Sequence, residues 1–512
     1  MVTKLNIMKA IFRNKVLLVL AVVLVISSCE DLDTENPNDP PISQVLSSGA
    51  DLESFLAGGY LTWWQANHQS RPALTLGVHG DAVSCSWGNF GMRRFGNEPR
   101  EIFNNSTTES QDYIDVVNFP YFRNLSAQFT ANEVIKAISV NGVSTGNTDT
   151  DNMLLSGAFF LRGLARGYLG LLFDQAFITD ENTDLTTLGD ATPNTYQEMI
   201  ASAVADMDVV IANAATQDFT FSAQFVNGEG GNQDWLARLA SSYAARFLAQ
   251  SPRTSTENAA VDWASVRDYA LNGITENFAP QADGNVWFGY WRYATGTQGS
   301  TWARVDMRVM SAVASNYPAR YPVDGSAPPA VPDTVDFRLR TDFEEMDNVF
   351  LEARGRWHFG THMHERYDET DYMGDGISSG PMPVFVTTDN DMLLAEAYLR
   401  LNNLADAQSI LNDPASRRKA NGLLPDVALD AGEIENAILH ERFVEILNTG
   451  PASQFFDRRR IGPRVTFTEM GSYDGLQEGS VGHFPIPAQE LETLQLDIYT
   501  FGGPSDLGGI GQ

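Results

Sequence analysis

Apolar and polar positions recur along most of this chain at the spacing of helices. In WLARLASSYAARFLAQ, residues 235–250, Leu236, Leu239, Ala240, Tyr243, Ala244, Phe247 and Leu248 form one stripe. That i, i+3, i+4, i+7 pattern predicts an amphipathic helix, with Arg238 and Arg246 off the stripe and Pro252 ending it. Residues 153–173 predict a second helix, interrupted by Gly157, Gly163, Gly167 and Gly170. A helical glycine costs about 1 kcal/mol, so several together predict close approach by neighbouring helices. Residues 195–212 predict a third, with Thr192 or Asn194 as its cap. LLAEAYLRLNNLADAQSILNDP, residues 393–414, predicts a helix, a turn at Asn402-Asn403, a second helix and a proline stop. Ala397, Tyr398, Leu404, Ala407 and Leu411 interleave large and small side chains as in a tetratricopeptide hairpin. No 34-residue period runs through the chain. The pattern therefore predicts a mainly α fold: irregular helical hairpins with long loops and minor β pieces.

The loops at 278–304 and 316–335 are rich in Gly, Pro, Trp and Tyr, and loops of that length usually carry function. A different pattern opens the chain. Lys4, Lys9, Arg13 and Lys15 precede the apolar run 16–26, which is too short to span a bilayer. Ile26-Ser27-Ser28-Cys29 then resembles a bacterial lipobox, which predicts a signal peptide over 1–28 and a lipid on Cys29. Residues 30–41 hold five acids and three prolines, so 29–50 read as an extended acidic tether.

The chain has 512 residues, 43% of them hydrophobic, enough for a large core. Its formal charge of −31 repels nucleic acid and anionic lipid, which leaves neutral or cationic ligands. Lipidation of Cys29 would leave Cys85 alone, so packing must hold the fold. No P-loop, dinucleotide fingerprint, CxxC pair or nucleophile elbow is present.

An opening tether and five further stretches in order resemble the SusD/RagB family of outer-membrane nutrient-binding lipoproteins. CEDLD opens the tether, and FLAGGY at 55–60 resembles the family's first helix. FFLRGLARGYLGLLFDQAFIT at 159–179 and MLLAEAYLRLNNLADA at 392–407 resemble its two helical signatures. ERFVEILNTGPASQFFDRRRIG at 441–462 and HFPIPAQEL at 483–491 resemble the closing ones. Thr449-Gly450-Pro451 departs from the usual Glu-Gly-x-Arg, and no Asn-Pro follows the last motif, which marks a divergent branch. The resemblance implies one domain over 51–512, with a helical part at 51–277 and a loop-rich part at 278–512. It also implies a cell-surface binding protein, not an enzyme, that passes oligosaccharide or peptide to a SusC-like TonB-dependent transporter.

Glu441, Arg442, Glu445, Asp457 and Arg458 to Arg460 have the types and spacing of structural ion pairs. A sugar site needs flat rings beside polar groups. Trp287, Tyr290, Trp291, Tyr293 and Trp302, with Gln298, are the densest such set, although rings in a loop also serve as pins into a core. Trp63, Trp64 and Trp87 are second candidates, with one of Trp63 and Trp64 expected inward and the other outward. Asn89, Phe90 and Arg93 accompany Trp87. His358, His362 and His364 make a weak zinc candidate, since His362 and His364 would share one face of a strand. Asp180 to Asp184, DENTD, offers carboxylates for calcium but not the EF-hand pattern. A surface glycoside hydrolase would need two carboxylates flanking the bond, and a structural adhesin would bind no small ligand. Cys29→Ala is expected to abolish fatty-acid labelling and release the protein from the membrane fraction; labelling that persists in the variant would refute the anchor.

Overall fold

The computed structural model describes residues 46, 48–85, 88–101, 103–294, 303–320, 336–346, 360–367 and 380–500. The long helices are α1 (Gly49–Asn67), α2 (Ser70–His79), α3 (Gln111–Ile135), α4 (Thr148–Leu172), α5 (Tyr196–Ala214) and α6 (Gln233–Gln250). After the loop-rich middle come α7 (Thr387–Arg400), α8 (Leu404–Leu411), α9 (Ala431–Val444) and α10 (Ser453–Ile461). Mainly α architecture with short β pieces is what the periodicity predicts.

Local chemistry starts each helix. The Asn147 side chain accepts from the backbone N–H groups of Asp149 and Thr150 to open α4. Helix α5 begins with a reciprocal capping box between Thr195 and Glu198. Neither Thr192 nor Asn194 is the cap, because only Thr195 has Glu198 three residues on to reach back. The glycines of α4 do permit close packing. A Cβ on Gly163 would stand 2.8 Å from Met207 Cε of α5, and one on Gly167 would stand 2.2 Å from the Phe247 ring of α6. At Gly167 no side chain larger than hydrogen fits without moving the Phe247 ring.

Helices α7 and α8 form the expected hairpin. Asn402 turns it with a left-handed φ of 62°, which asparagine tolerates better than most residues. Met392, Ala395, Ala407 and Leu411 bury between the two helices and meet Ile434 and Ile438 of α9. A four-stranded antiparallel sheet gathers the middle of the chain. Its strands are β1 (Val83–Ser84), β2 (Arg304–Val305), β3 (Phe343–Glu345) and β4 (His362–His364), in the order β1-β2-β4-β3. Val83 pairs with Val305, Val305 with His362, and His364 with Phe343.

A run of alternating charge crosses the interior. Arg246 of α6 meets Asp389 of α7 at 2.6 Å, and Asp389 meets Arg442 of α9 at 3.2 Å. Arg442 meets Asp457 of α10 at 2.7 Å, Asp457 meets Arg460 at 2.9 Å, and Arg460 returns to Glu396 of α7 at 2.7 Å. Arg246 lies off the apolar stripe yet is buried, since its charge has a partner inside. Beside this run, Arg338 bonds Asp336, Glu441 and Glu445. The signature residues at 441–460 are thus structural, as their spacing suggests.

Removing one member leaves its partner charged and dry. Arg442→Met is therefore expected to cost about 3–5 kcal/mol, read as a lower unfolding midpoint in heat or denaturant. An unchanged midpoint would refute the role. Burial alone would raise the Glu396 carboxyl, but Arg460 outweighs it and holds the group down from 4.5 to about 2. A depressed carboxylate stabilises the fold fully above its unfolded value. That contribution should fade as pH falls from about 4.5 toward 2. Circular dichroism across that window checks it, and Glu396→Gln should flatten the response.

Candidate functional site

The central sheet draws four sequence-distant stretches to one region, residues 83–84, 304–305, 343–345 and 362–364. Beyond β1 the chain turns sharply at Asn89–Gly91, where Phe90 has φ 56° and Gly91 φ 72°. A left-handed phenylalanine is sterically unfavourable, so surrounding contacts must hold it. Thr75 of α2 supplies one, donating its hydroxyl to the Phe90 carbonyl at 2.6 Å.

That turn places the Phe90 ring in a ladder of half-buried groups. The Tyr293 ring lies 5.1 Å from Phe90 on one side. The Arg71 guanidinium of α2 lies 5.0 Å from the Phe90 centroid and 5.1 Å from that of Phe119. Arg123 follows at 4.3 Å from Phe119. Phe119 and Arg123 stand one turn apart on α3, so they share a face. Burial pushes the Arg123 guanidinium down from its ordinary value; Asp115 opposes this and Arg71 adds to it. Asp112 accepts from Arg71 at 2.6 Å and fixes the guanidinium between its two rings.

Next to the ladder lies a cavity of about 310 Å³, bordered by Gly88, Arg93, Asn97, Glu101, Asp112 and Tyr113. Arg94 sits 3.9 Å above the Tyr113 ring and pairs with Glu109 at 2.8 Å and Glu101 at 3.1 Å. Hydrogen bonding from Arg94 is the main reason the Glu109 carboxyl is held below its ordinary value. Arg93 makes no ion pair with another described residue. The region thus sets half-buried rings beside guanidinium, amide and carboxylate groups. A larger cavity, about 670 Å³, opens beside the α7–α8 hairpin, but its Arg366, Arg417 and Arg418 already meet Glu445, Asp342 and Glu441.

Of the predicted aromatics, Tyr293 belongs to the ladder. Trp287, Tyr290 and Trp291 do not offer free faces. The Trp291 ring is 1% exposed, stacks on Tyr367 at 4.2 Å and donates its N–H to the Asn448 carbonyl at 2.5 Å. The Tyr290 hydroxyl donates to the Gly450 carbonyl at 3.1 Å. Trp287 packs 5.3 Å from Trp64, which stacks on His68 and donates to the Phe288 carbonyl at 3.1 Å. Both Trp63 and Trp64 point inward, against the expected split, because the buried His68 ring packs against each of them. Trp87, Gln298, Trp302 and His358 lie outside the described residues.

The weak zinc candidates serve as packing groups. His362 lies 3.4 Å from the Tyr317 hydroxyl, and His364 lies 3.2 Å from Asn448 Nδ2 and packs on Phe343. Burial is the main force lowering both, to about 4 and about 3, with Arg304 adding to the first. Among the described residues no three metal-ligating side chains converge. In DENTD, Asp180 accepts from Asn182 and Thr183, Asp184 accepts from Thr186, and Glu181 pairs with Arg162. Those carboxylates fasten turns.

Solved structures with this arrangement exist. A SusD superfamily protein from Bacteroides vulgatus superposes with TM-score 0.57 at 15% identity, covering 88% of this chain and 97% of its own. A SusD homolog from Bacteroides thetaiotaomicron gives 0.57 at 12%, covering 87% and 96%. The fold is that of the SusD superfamily. A SusD-like carbohydrate binding protein from Bacteroides fragilis gives 0.55 at 12% identity, covering 81% and 86%. No family model matches the sequence, and neither does any curated protein. Within this SusD-like scaffold, sequence reasoning missed Arg71, Phe119 and Arg123. The i, i+4 pair Phe119 and Arg123 was a readable signal; Arg71 had none.

Trp291→Ala should behave as the loss of a core ring. It is expected to cost about 3–5 kcal/mol of stability and to leave ligand affinity per folded molecule unchanged. Paired thermal unfolding and calorimetric titration read both, and weakened binding without destabilisation would restore Trp291 as a ligand contact.

Proposed function

We propose that this protein is an outer-membrane lipoprotein facing the cell exterior, anchored by a lipid on Cys29. It binds oligosaccharide and delivers it to a SusC-like TonB-dependent transporter. In this reading residues 1–28 are the removed signal, 29–50 the tether and 51–512 the binding domain. The single observation that carries the ligand class is the ladder Tyr293–Phe90–Arg71–Phe119–Arg123. Sugar C–H faces lie on aromatic rings, and hydroxyls bond to planar amide, guanidinium and carboxylate edges, all supplied here. The SusD-like carbohydrate binding protein of the same fold supports the same class.

Binding without turnover fits the carboxylates of this region. Asp112, Glu101 and Glu109 are each paired with an arginine, and the hydrogen bond from Arg94 holds the Glu109 carboxyl below its ordinary value. A hydrolase would need one of them protonated as a general acid. No helix among the described residues is long and apolar enough to cross a membrane, so Cys29 carries the anchoring in this proposal.

Phe90→Ala and Tyr293→Ala test the ligand assignment. Each is expected to weaken oligosaccharide binding by about 1–3 kcal/mol, roughly ten- to a hundredfold, with little change in unfolding midpoint. A panel of oligosaccharides titrated into wild type and both variants reads this; unchanged affinities would refute the ladder. Crosslinking on intact cells should capture a barrel-sized transporter, and its absence would refute delivery.

A further inference from the structure

A second cavity, also about 310 Å³, lies between the start of α3 and the short helix Ala488–Thr493. Phe103, Tyr113, Ile114, Val117 and Ala488 line it with apolar surface. The Phe103 and Tyr113 rings are 5.3 Å apart, so its inner wall is aromatic. Its polar lining is almost entirely amide and hydroxyl: Asn104, Gln111, Asn118 and Gln489, with Ser106 and Thr107. Among the described lining residues Glu492 is the one charged group, and none is a lysine, arginine or histidine.

The hydrogen bonds already made leave a defined remainder. Asn118 Nδ2 donates to Gln489 Oε1 at 2.9 Å, which leaves Asn118 Oδ1 to accept and Gln489 Nε2 to donate. Gln111 Nε2 gives one of its two N–H groups to Asp115 at 2.5 Å, which leaves the other to donate and Oε1 to accept. Thr107 donates to one Glu492 oxygen at 3.3 Å, which leaves the other. Amides, hydroxyls and one carboxylate oxygen therefore ring an apolar floor, and no cation among the described lining residues would neutralise an anion. Hydroxyl-rich rings match that combination: a C–H face on the floor, hydroxyls to the rim amides.

We propose that this cavity is a second binding site, for one uncharged sugar ring or a polyol of similar size. Of the site proposed above it shares only Tyr113, and none of the ladder residues. It rests on the oligosaccharide reading for ligand class alone.

The test uses the full chain and a panel of neutral methyl glycosides of hexoses, pentoses and N-acetylhexosamines, with glucuronate as the charged probe. Saturation-transfer NMR and titration at millimolar glycoside should find a neutral glycoside that binds wild type and Phe90→Ala alike. Asn118→Ala combined with Gln489→Ala should weaken it by about tenfold or more. Gln489→Ala alone, at an exposed position, gives the same reading with a smaller loss should the double variant misfold. Loss of all monosaccharide binding in Phe90→Ala would overturn the second site while leaving the oligosaccharide reading intact. So would unchanged affinity in both amide variants, or glucuronate binding as tightly as the neutral glycoside. Absence of any monosaccharide binding to wild type would overturn it too, and oligosaccharide binding to the same sample would show the ladder unaffected.

Discussion

Six buried side chains of alternating charge hold the helices together: Arg246, Asp389, Arg442, Asp457, Arg460 and Glu396. Each charge has an opposite neighbour, so the run is neutral even though every member is dry. Burying such charges costs several kcal/mol apiece, and only close, aligned contacts offset that cost. The energetic gain over an apolar core is accordingly small. What the run contributes is geometry. A guanidinium fork accepts a carboxylate in few orientations, so Arg442 and Arg460 allow α7, α9 and α10 few positions relative to one another.

That constraint reaches the candidate site through α10. Arg458 donates to the Gly80 carbonyl at 2.8 Å, at the end of α2. A Cβ on Gly80 would meet the Phe455 backbone at 2.7 Å, so the two segments touch directly. Helix α2 carries Arg71, the centre of the ladder, and Thr75, which holds the Phe90 turn. Arg253 and Arg459 tie the same α10 region to the end of α4, where both donate to the Leu171 carbonyl. Terminal carbonyls and the negative helix end compensate these two cations, which form no ion pair with a carboxylate among the described residues. The ladder therefore stands on a scaffold whose parts are fixed by buried arginines.

Helices and hairpins were legible in the sequence because their signals are local. Periodicity, the α4 glycines and the Asn402 turn all act within a few residues. Arg246 shows where that logic ends. The stripe marks it as exposed, and its partner Asp389 lies 143 residues away. The tryptophans fail for a related reason. A stacking platform and a core pin use the same residues, and what separates them is whether the ring finds a buried partner. Trp291 finds Asn448, 157 residues on, and no local pattern encodes that. The ladder likewise joins residues 71, 90, 119, 123 and 293. Aromatic density marked a loop whose Tyr293 joins the ladder, while Trp287, Tyr290 and Trp291 beside it are buried.

Charge then sets how such a site selects. The chain is strongly acidic overall, yet Arg71, Arg93, Arg94 and Arg123 concentrate in this one region. Arg71 and Arg94 are paired with carboxylates, so the local field is far weaker than four cations suggest. A ligand there gains little from net charge and more from ring contact and hydrogen bonding. Stacking on Phe90 or Tyr293 distinguishes poorly among sugars, since most present a C–H face. Discrimination falls to the polar edges, where a misplaced hydroxyl leaves a donor or acceptor unpaired. In the proposed site affinity would thus reside in the rings of the ladder and specificity in the polar lining of the cavity beside it. In the proposed site, substitution at Asn97, Glu101 or Arg93 would change which sugar fits without disturbing the buried charges that hold the rings in place.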